Sequence, residues 1–176
     1  MTYPTFTNGQ VLPASDLNAI GLWLVKSQTV GTGVSSVTVS SAFSADYDAY
    51  KVVYVGGVGS TALNINMTLG ASAANYSMAL PYVTYGAGVA SGTSIAGGTS
   101  WALMGTATAN SASLDVDLFA PFLSQYTRAL GIYVSDTEAG TYAGIHKTAA
   151  SYTAFTLTAS TGTLTGGTIS VYGYRK

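Results

Sequence analysis

The sequence predicts an all-β protein, an antiparallel β-sandwich preceded by a short N-terminal arm and an α-helix. Three observations carry this. Apolar residues alternate with polar or small ones over most of the chain, as in Leu63, Ile65, Met67 and Leu69 against Asn64, Asn66 and Thr68. That period of two is the mark of half-buried strands. Glycine-rich breaks at 56–57, 86–88, 97–98 and 166–167 separate the alternating runs. After residue 33 the helical period disappears. Roughly eight strands with few charges and no second helical run fit a sandwich of jelly-roll type.

The elements follow in order. Residues 1–12 form an extended arm containing Tyr3, Pro4 and Phe6. Ser15 or Asp16 is a helix N-cap, and the predicted helix covers residues 17–26. Leu17, Ile20 and Leu24 share one face of it; Leu22, Trp23 and Val25 fall on the other sides. A short helix that is apolar nearly all round has to be buried on several sides. It either plugs its own sandwich or packs against sister subunits. Gly31 and Gly33 then supply a joint, dividing the chain into residues 1–33, for attachment or trimerisation, and a sandwich domain over 34–176.

Within the sandwich, residues 47–57 read as a central strand. Tyr50, Val52 and Tyr54 lie on one face and Lys51, Val53 and Val55 on the other, so both faces are expected to be covered. Further strands fall at Val37–Val39, at Leu114, Val116 and Leu118, at Leu130, Ile132 and Val134, at Thr141, Ala143 and Ile145, and at Phe155 and Leu157. Residues 167–176 are a strong last strand that completes a sheet. Residues 85–98 are a low-complexity surface loop with a short strand in it.

Composition excludes several functions. Only 7% of the 176 residues are charged and the net charge is −1, where a soluble domain is roughly one quarter charged. No basic patch exists to neutralise phosphates, which excludes nucleic acid as a partner. There is no cysteine, hence no disulfide, thiolate metal site or cysteine nucleophile. No apolar run approaches the roughly 18 residues of a membrane span, so no membrane insertion is expected. The opening residues lack the basic and apolar regions of a signal peptide. A surface of Ser, Thr, Asn, Gly and Tyr is poorly defended against association, which points to a subunit that sits against others.

Candidate chemistry is sparse. His146 is the single histidine, and its neighbours 143–149 carry no nucleophile elbow or oxyanion loop; it reads as structural or surface-lying. Asp115 and Asp117 project from one face of a strand, about 7 Å apart, and Asp46 and Asp48 flank Tyr47. Such pairs serve glycoside hydrolysis or bind calcium where further acids gather round them. With seven acids in all, these read as solvent-facing, with no catalytic residue, metal or cofactor expected. Residues 56–61 lack the lysine and helix of a phosphate loop.

The thirteen tyrosines suit recognition, since Tyr offers area at little entropic cost together with a polar tip. Tyr76, Tyr82 and Tyr85 around Pro81, together with Tyr133, form the candidate receptor surface, able to stack on a host-surface glycan. The alternative is that tyrosine covers sheets and subunit interfaces.

Residues 6–18 carry Phe6, Gly9, Gln10, Leu12, Ala14, Asp16, Leu17 and Asn18. This run resembles the F-x-x-G-Q-x-L-x-A-x-D-L-N opening of tailed-bacteriophage virion proteins, common in tail fibres, tail spikes and related appendages. Residues 47–57 and 167–176 resemble the first and last strands of small jelly rolls in such fibres. The resemblance implies a non-enzymatic virion protein, homotrimeric, assembled in the host cytoplasm. Phe6, Leu12, Leu17, Ile20, Trp23 and Leu24 would join it to other virion proteins of tail, neck or capsid. A capsid decoration protein that stabilises the head is the alternative, and a small glycan depolymerase a third reading.

Overall fold

The computed structural model of the chain describes Gly9 and residues 21–175. Fourteen strands and no helix occur among the described residues. They are β1 (Leu22–Thr29), β2 (Ser36–Val39), β3 (Ala49–Val55), β4 (Val58–Gly59), β5 (Leu63–Leu69), β6 (Tyr76–Thr84) and β7 (Ala90–Gly98). After these come β8 (Trp101–Ala107), β9 (Ala112–Phe119), β10 (Gln125–Val134), β11 (Glu138–Ala150), β12 (Phe155–Ala159), β13 (Leu164–Thr165) and β14 (Thr168–Tyr174). All pairings are antiparallel. The all-β class agrees with the alternation in the sequence. The expected loop at 85–98 holds the whole of β7.

One strand organises the layers. Leu114 in β9 pairs both with Tyr54 of β3 and with Gly105 of β8, so β3 and β8 occupy opposite edges of β9. Asp115 to Phe119 pair with β3 and also with β10. β8 and β10 therefore follow each other along one edge, and the sheet forks there. A large layer runs β1-β14-β3-β9-β10-β11-β6-β7; a smaller one runs β2-β12-β5-β8. Between them lies the core: Tyr50, Val52, Tyr54, Val116, Leu118, Ile169 and Val171 from the large layer face Ile65, Met67, Leu69, Phe155 and Leu157 from the small one. Phe43 bridges the two, edge-on to Tyr50 and stacked on Phe155.

The predicted helix over 17–26 is corrected. Residues 17–20 lie outside the described residues, while Leu22 to Lys26 belong to β1, hydrogen-bonded to β14. A run of four apolar residues reads equally well as helix or strand from periodicity alone. The free edge of β14 decides it, giving β1 a ladder partner along its length. A bulge falls between Leu24 and Lys26, turning Val25 partly into the core. The boundary at 33/34 is corrected with it. Val30 is buried, its amide donates to the Gly167 carbonyl, and Val34 exchanges hydrogen bonds with Leu164. Residues 22–34 are thus part of the sandwich.

The short β4–β13 ribbon closes one end. There residues 56–57 meet residues 166–167 at backbone distance: a Cβ on Gly167, whose φ is +79°, would stand 2.4 Å from the Gly57 nitrogen. Only glycine satisfies both the left-handed backbone and that approach. The Tyr54 hydroxyl donates to the Gly166 carbonyl across the same corner at 2.9 Å.

A chain starting at residue 30 should lose about 2 kcal/mol or more of stability relative to one starting at residue 21. In a protein of this size that is a fall of roughly 4–8 °C in melting temperature. Equal melting of the two chains by circular dichroism would mean that β1 contributes nothing to the sandwich.

Candidate functional site

The outer face of the large layer is the site the fold presents. Directly paired residues point to the same side of a sheet, so the register defines its rows. One row runs Tyr172, Lys51, Asp117, Leu130, Ala143, Ala79; the next runs Ser170, Val53, Asp115, Ile132. The expectation that both faces of β3 are covered is corrected: Tyr50, Val52 and Tyr54 are buried, but Val55 is 55% exposed. In β10 the aliphatic residues are the outward ones. Leu130, Ile132 and Val134 are exposed, Ile132 at 62%, while Thr127, Ala129 and Tyr133 are buried. β11 follows the same rule, with Tyr142 and His146 inward and Ala143 outward. The reason lies in the opposite layer. Trp101 of β8 packs against Gly144, where an added Cβ would meet its Nε1 at 2.8 Å, and beside the Tyr142 ring. The large aromatics of this half of the core fill the interlayer space, so β10 turns its small residues inward.

A polar cluster interrupts this face. Lys51 Nζ contacts Asp115 Oδ1 and lies 3.7 Å from Asp117 Oδ1. The Tyr174 hydroxyl donates to Asp117 Oδ1 at 2.6 Å. Partial burial, with the Asp117 hydrogen bond and the charges of Asp117 and Asp115 behind it, pushes the Tyr174 phenol up to about 12. The Lys51 ammonium stands where a cation shared by the two aspartates would stand. Among the described residues, no three His, Asp or Glu side chains converge as metal ligands.

The tyrosines divide. Tyr85 is exposed and Tyr82 half-buried. Tyr76 and Tyr133 do not belong to a receptor surface, and that expectation is corrected: both are buried, and both hydroxyls serve the interior. Tyr76 Oη accepts from the Leu69 amide at 2.8 Å and donates to the Ser72 carbonyl at 3.2 Å. Tyr133 Oη donates to Asn64 Oδ1 at 3.0 Å, tying the two layers together. Above that bond lies a cleft of about 230 Å3 with Asn64, Thr106, Thr108, Asp136 and Glu138 in its walls. Thr106 spends its hydroxyl on the Val134 carbonyl at 2.6 Å. Of the attachment residues, Trp23 and Leu24 are exposed on β1; Phe6, Leu12, Leu17 and Ile20 lie outside the described residues.

His146 is fully buried and makes a contact the sequence did not signal. Its Nε2 lies 2.8 Å from Ser72 Oγ, a residue 74 positions away, and 3.1 Å from the Ala74 carbonyl. A carbonyl only accepts, so the geometry assigns the proton to Nε2. Nδ1 is left to accept from Tyr152 Oη at 3.5 Å. A protonated Nε2 cannot take a proton from Ser72, so the pair pins the 70–75 loop to β11 rather than arming a nucleophile. Burial holds the imidazole below the ordinary His value, the Ala74 hydrogen bond pulling the other way. Around it, Trp101 Nε1, Thr127 Oγ1 and Tyr142 Oη are buried without a hydrogen-bond partner among the described residues.

No family model matches the chain, and neither a curated protein nor a solved structure matches it.

Two predictions follow from the buried cluster. In the unfolded chain His146 titrates near 6.5, above its folded value, so the unfolded state binds more protons and stability falls as pH drops below about 6.5. Melting temperature should therefore decline between pH 7.5 and 5.5, above the range of ordinary carboxylates, and His146→Gln should flatten that slope; a wild-type profile already flat there contradicts the burial argument. Tyr142→Phe removes a buried hydroxyl that satisfies nothing, and should raise stability by about 1 kcal/mol, or roughly 2–4 °C. A drop of similar size in the same melting assay would show that the hydroxyl is held.

Proposed function

We propose that this chain is a non-enzymatic structural subunit of a tailed-bacteriophage virion, a fibre-like appendage. It attaches through its N-terminal segment and turns its sandwich, jelly-roll-like in plan, toward the host surface. The observation that carries the non-enzymatic, assembly part is the outer face of the large layer. A domain that leaves Leu130, Ile132, Val134, Val55 and Phe119 in water is made to be contacted, because exposed apolar patches of this breadth mark interaction sites. The groups that would carry chemistry support the same reading: His146 is tied to Ser72 and Ala74, and Asp115 and Asp117 share Lys51. The virion part rests on the resemblance of residues 6–18. In this reading Trp23 and Leu24, at the start of the sandwich, continue the attachment segment, the assembly is a homotrimer, and Tyr82 and Tyr85 remain available to a host glycan.

A capsid decoration protein is the second reading, favoured by the same face, which suits a flat shell as well as a sister subunit. Gold-labelled antibody against the purified chain, imaged on particles made by the genome that encodes it, separates the two. Label confined to tail or neck is the expected result. Label over the whole head selects decoration, and unlabelled particles in a lysate rich in the free chain remove both.

A further inference from the structure

We infer that the cleft between the layers at the β10–β11 hairpin is a binding subsite for one uncharged sugar ring, held through its hydroxyls. The inference rests on the host-glycan reading above for the source of the sugar, and on the lining of the cleft for its chemistry.

Residues 135–138 of the hairpin face the start of β5 and the end of β8 across a volume of about 230 Å3. Two hydrogen bonds set the width of the cleft. Tyr133 Oη donates to Asn64 Oδ1, and Thr106 Oγ1 to the Val134 carbonyl, each joining one layer to the other. The hairpin is closed by Ser135, whose hydroxyl accepts from the Thr137 and Glu138 amides. A site braced in this way needs little further ordering when a ligand enters. Tyr133 and Thr106 are spent on the frame, so a ligand meets the groups around them.

Those groups are mixed in sense. Among the described residues nothing is bonded to the Asn64 side-chain nitrogen or to the Asp136 carboxylate; the first only donates and the second only accepts. The Glu138 carboxylate lies beside the Tyr133 hydroxyl, where it adds to burial in raising that phenol. A hydroxyl satisfies both kinds of partner, since it gives one proton and takes others. A bare cation would have to sit against the Asn64 N–H groups, and among the described residues no third acid converges with Asp136 and Glu138. The volume separates the two ligands as well. It is that of roughly eight waters at about 30 Å3 each, the scale of a hexose ring rather than of one ion. Ala62, Leu63 and Ala107 supply the apolar surface that the C–H face of a ring covers. Among the described residues no lysine, arginine or histidine lines the cleft, while two carboxylates do, so like charge turns an acidic sugar away. The Tyr85 amide donates to the Thr137 carbonyl at 2.9 Å. That bond sets the exposed Tyr85 beside the hairpin, so the cleft and the tyrosine offered to a glycan belong to one end of the sandwich.

The test titrates the full, isotope-labelled chain with the methyl glycosides of glucose, galactose, mannose and N-acetylglucosamine, with sodium glucuronate as the acidic comparator, and reads the backbone amide resonances. At least one neutral glycoside should give saturable shifts confined to residues 62–64, 106–108 and 133–138, with a dissociation constant of roughly millimolar order. Glucuronate should give none. Asp136→Asn and Glu138→Gln should each raise that constant about tenfold, the loss of one hydrogen bond to a charged group. Asp136 is exposed, so Asp136→Asn should do this at an unchanged melting temperature. Ala62→Trp, which fills the mouth from another exposed position, should abolish binding. No saturable shift with any of the neutral glycosides, shifts that map elsewhere, glucuronate bound as tightly, or the same amides saturated by calcium chloride alone would overturn the proposal. Antibody label on the tail with no sugar bound would remove the cleft and leave the virion reading standing; sugar bound at the cleft with no label on particles would do the reverse.

Discussion

The fold depends on β9 serving two layers at once. Its C-terminal half is held between β3 and β10, while its N-terminal end gives up β10 as a neighbour and takes β8. A sheet that forks at one strand folds back on itself without a long connection, and the aromatic core forms in the angle. Gly105 and Gly131 permit this. A Cβ on Gly105 would stand 2.5 Å from the Ser113 carbonyl oxygen, and one on Gly131 2.4 Å from that of Asp115. Both strands therefore lie unusually close to β9 where it changes partner. The bend in β8 belongs to the same device. Its register with β5 slips between Gly105 and Trp101, Leu103 adopts φ +58°, and the Leu103 amide is satisfied by Asn66 Oδ1 at 3.3 Å.

From that angle the distribution of side chains follows. Trp101, Tyr76, Tyr142 and His146 crowd one half of the interior, with Tyr76 edge-on to Trp101 and its ring centroid 4.2 Å from that of His146. Facing sheets stand about 10 Å apart, and aromatics of this size span that gap from one side. The strands beneath them must then offer Gly144, Ala129 and Thr127. Because alternation is strict, placing the small residues inside places Leu130, Ile132 and Val134 outside. The exposed apolar face is thus a consequence of how the core is filled. Interior packing and the exposed apolar face are two results of one choice of register, which connects the core to the proposed function.

Polar groups in the interior act as fasteners. Tyr54, Tyr76 and Tyr133 each reach across a corner, a loop or the interlayer gap to a defined acceptor, and burial raises all three phenols. Tyrosine that looks from sequence like recognition chemistry is here divided between these internal ties and a few exposed positions such as Tyr85. A buried hydroxyl and an exposed one occupy the same alternating slot in the sequence.

The sequence by itself determined the all-β class, the antiparallel pairing, the positions of β3, β5, β9, β12 and β14, and the low count of charged residues with a single histidine and no cysteine. These are local properties, written in period-two alternation, in glycine breaks and in counts of charge and cysteine. It did not determine which face of β10 and β11 is inside, because Leu130 and Tyr133 are both apolar enough to bury and only Trp101, thirty residues away, decides between them. Nor did it determine that residues 22–26 form a strand, since the deciding partner, β14, lies about 150 residues downstream. The Ser72–His146 contact was out of reach for the same reason. What local spacing encodes is legible in one chain; what depends on the volume and hydrogen-bonding edges of distant segments is settled only when those segments meet.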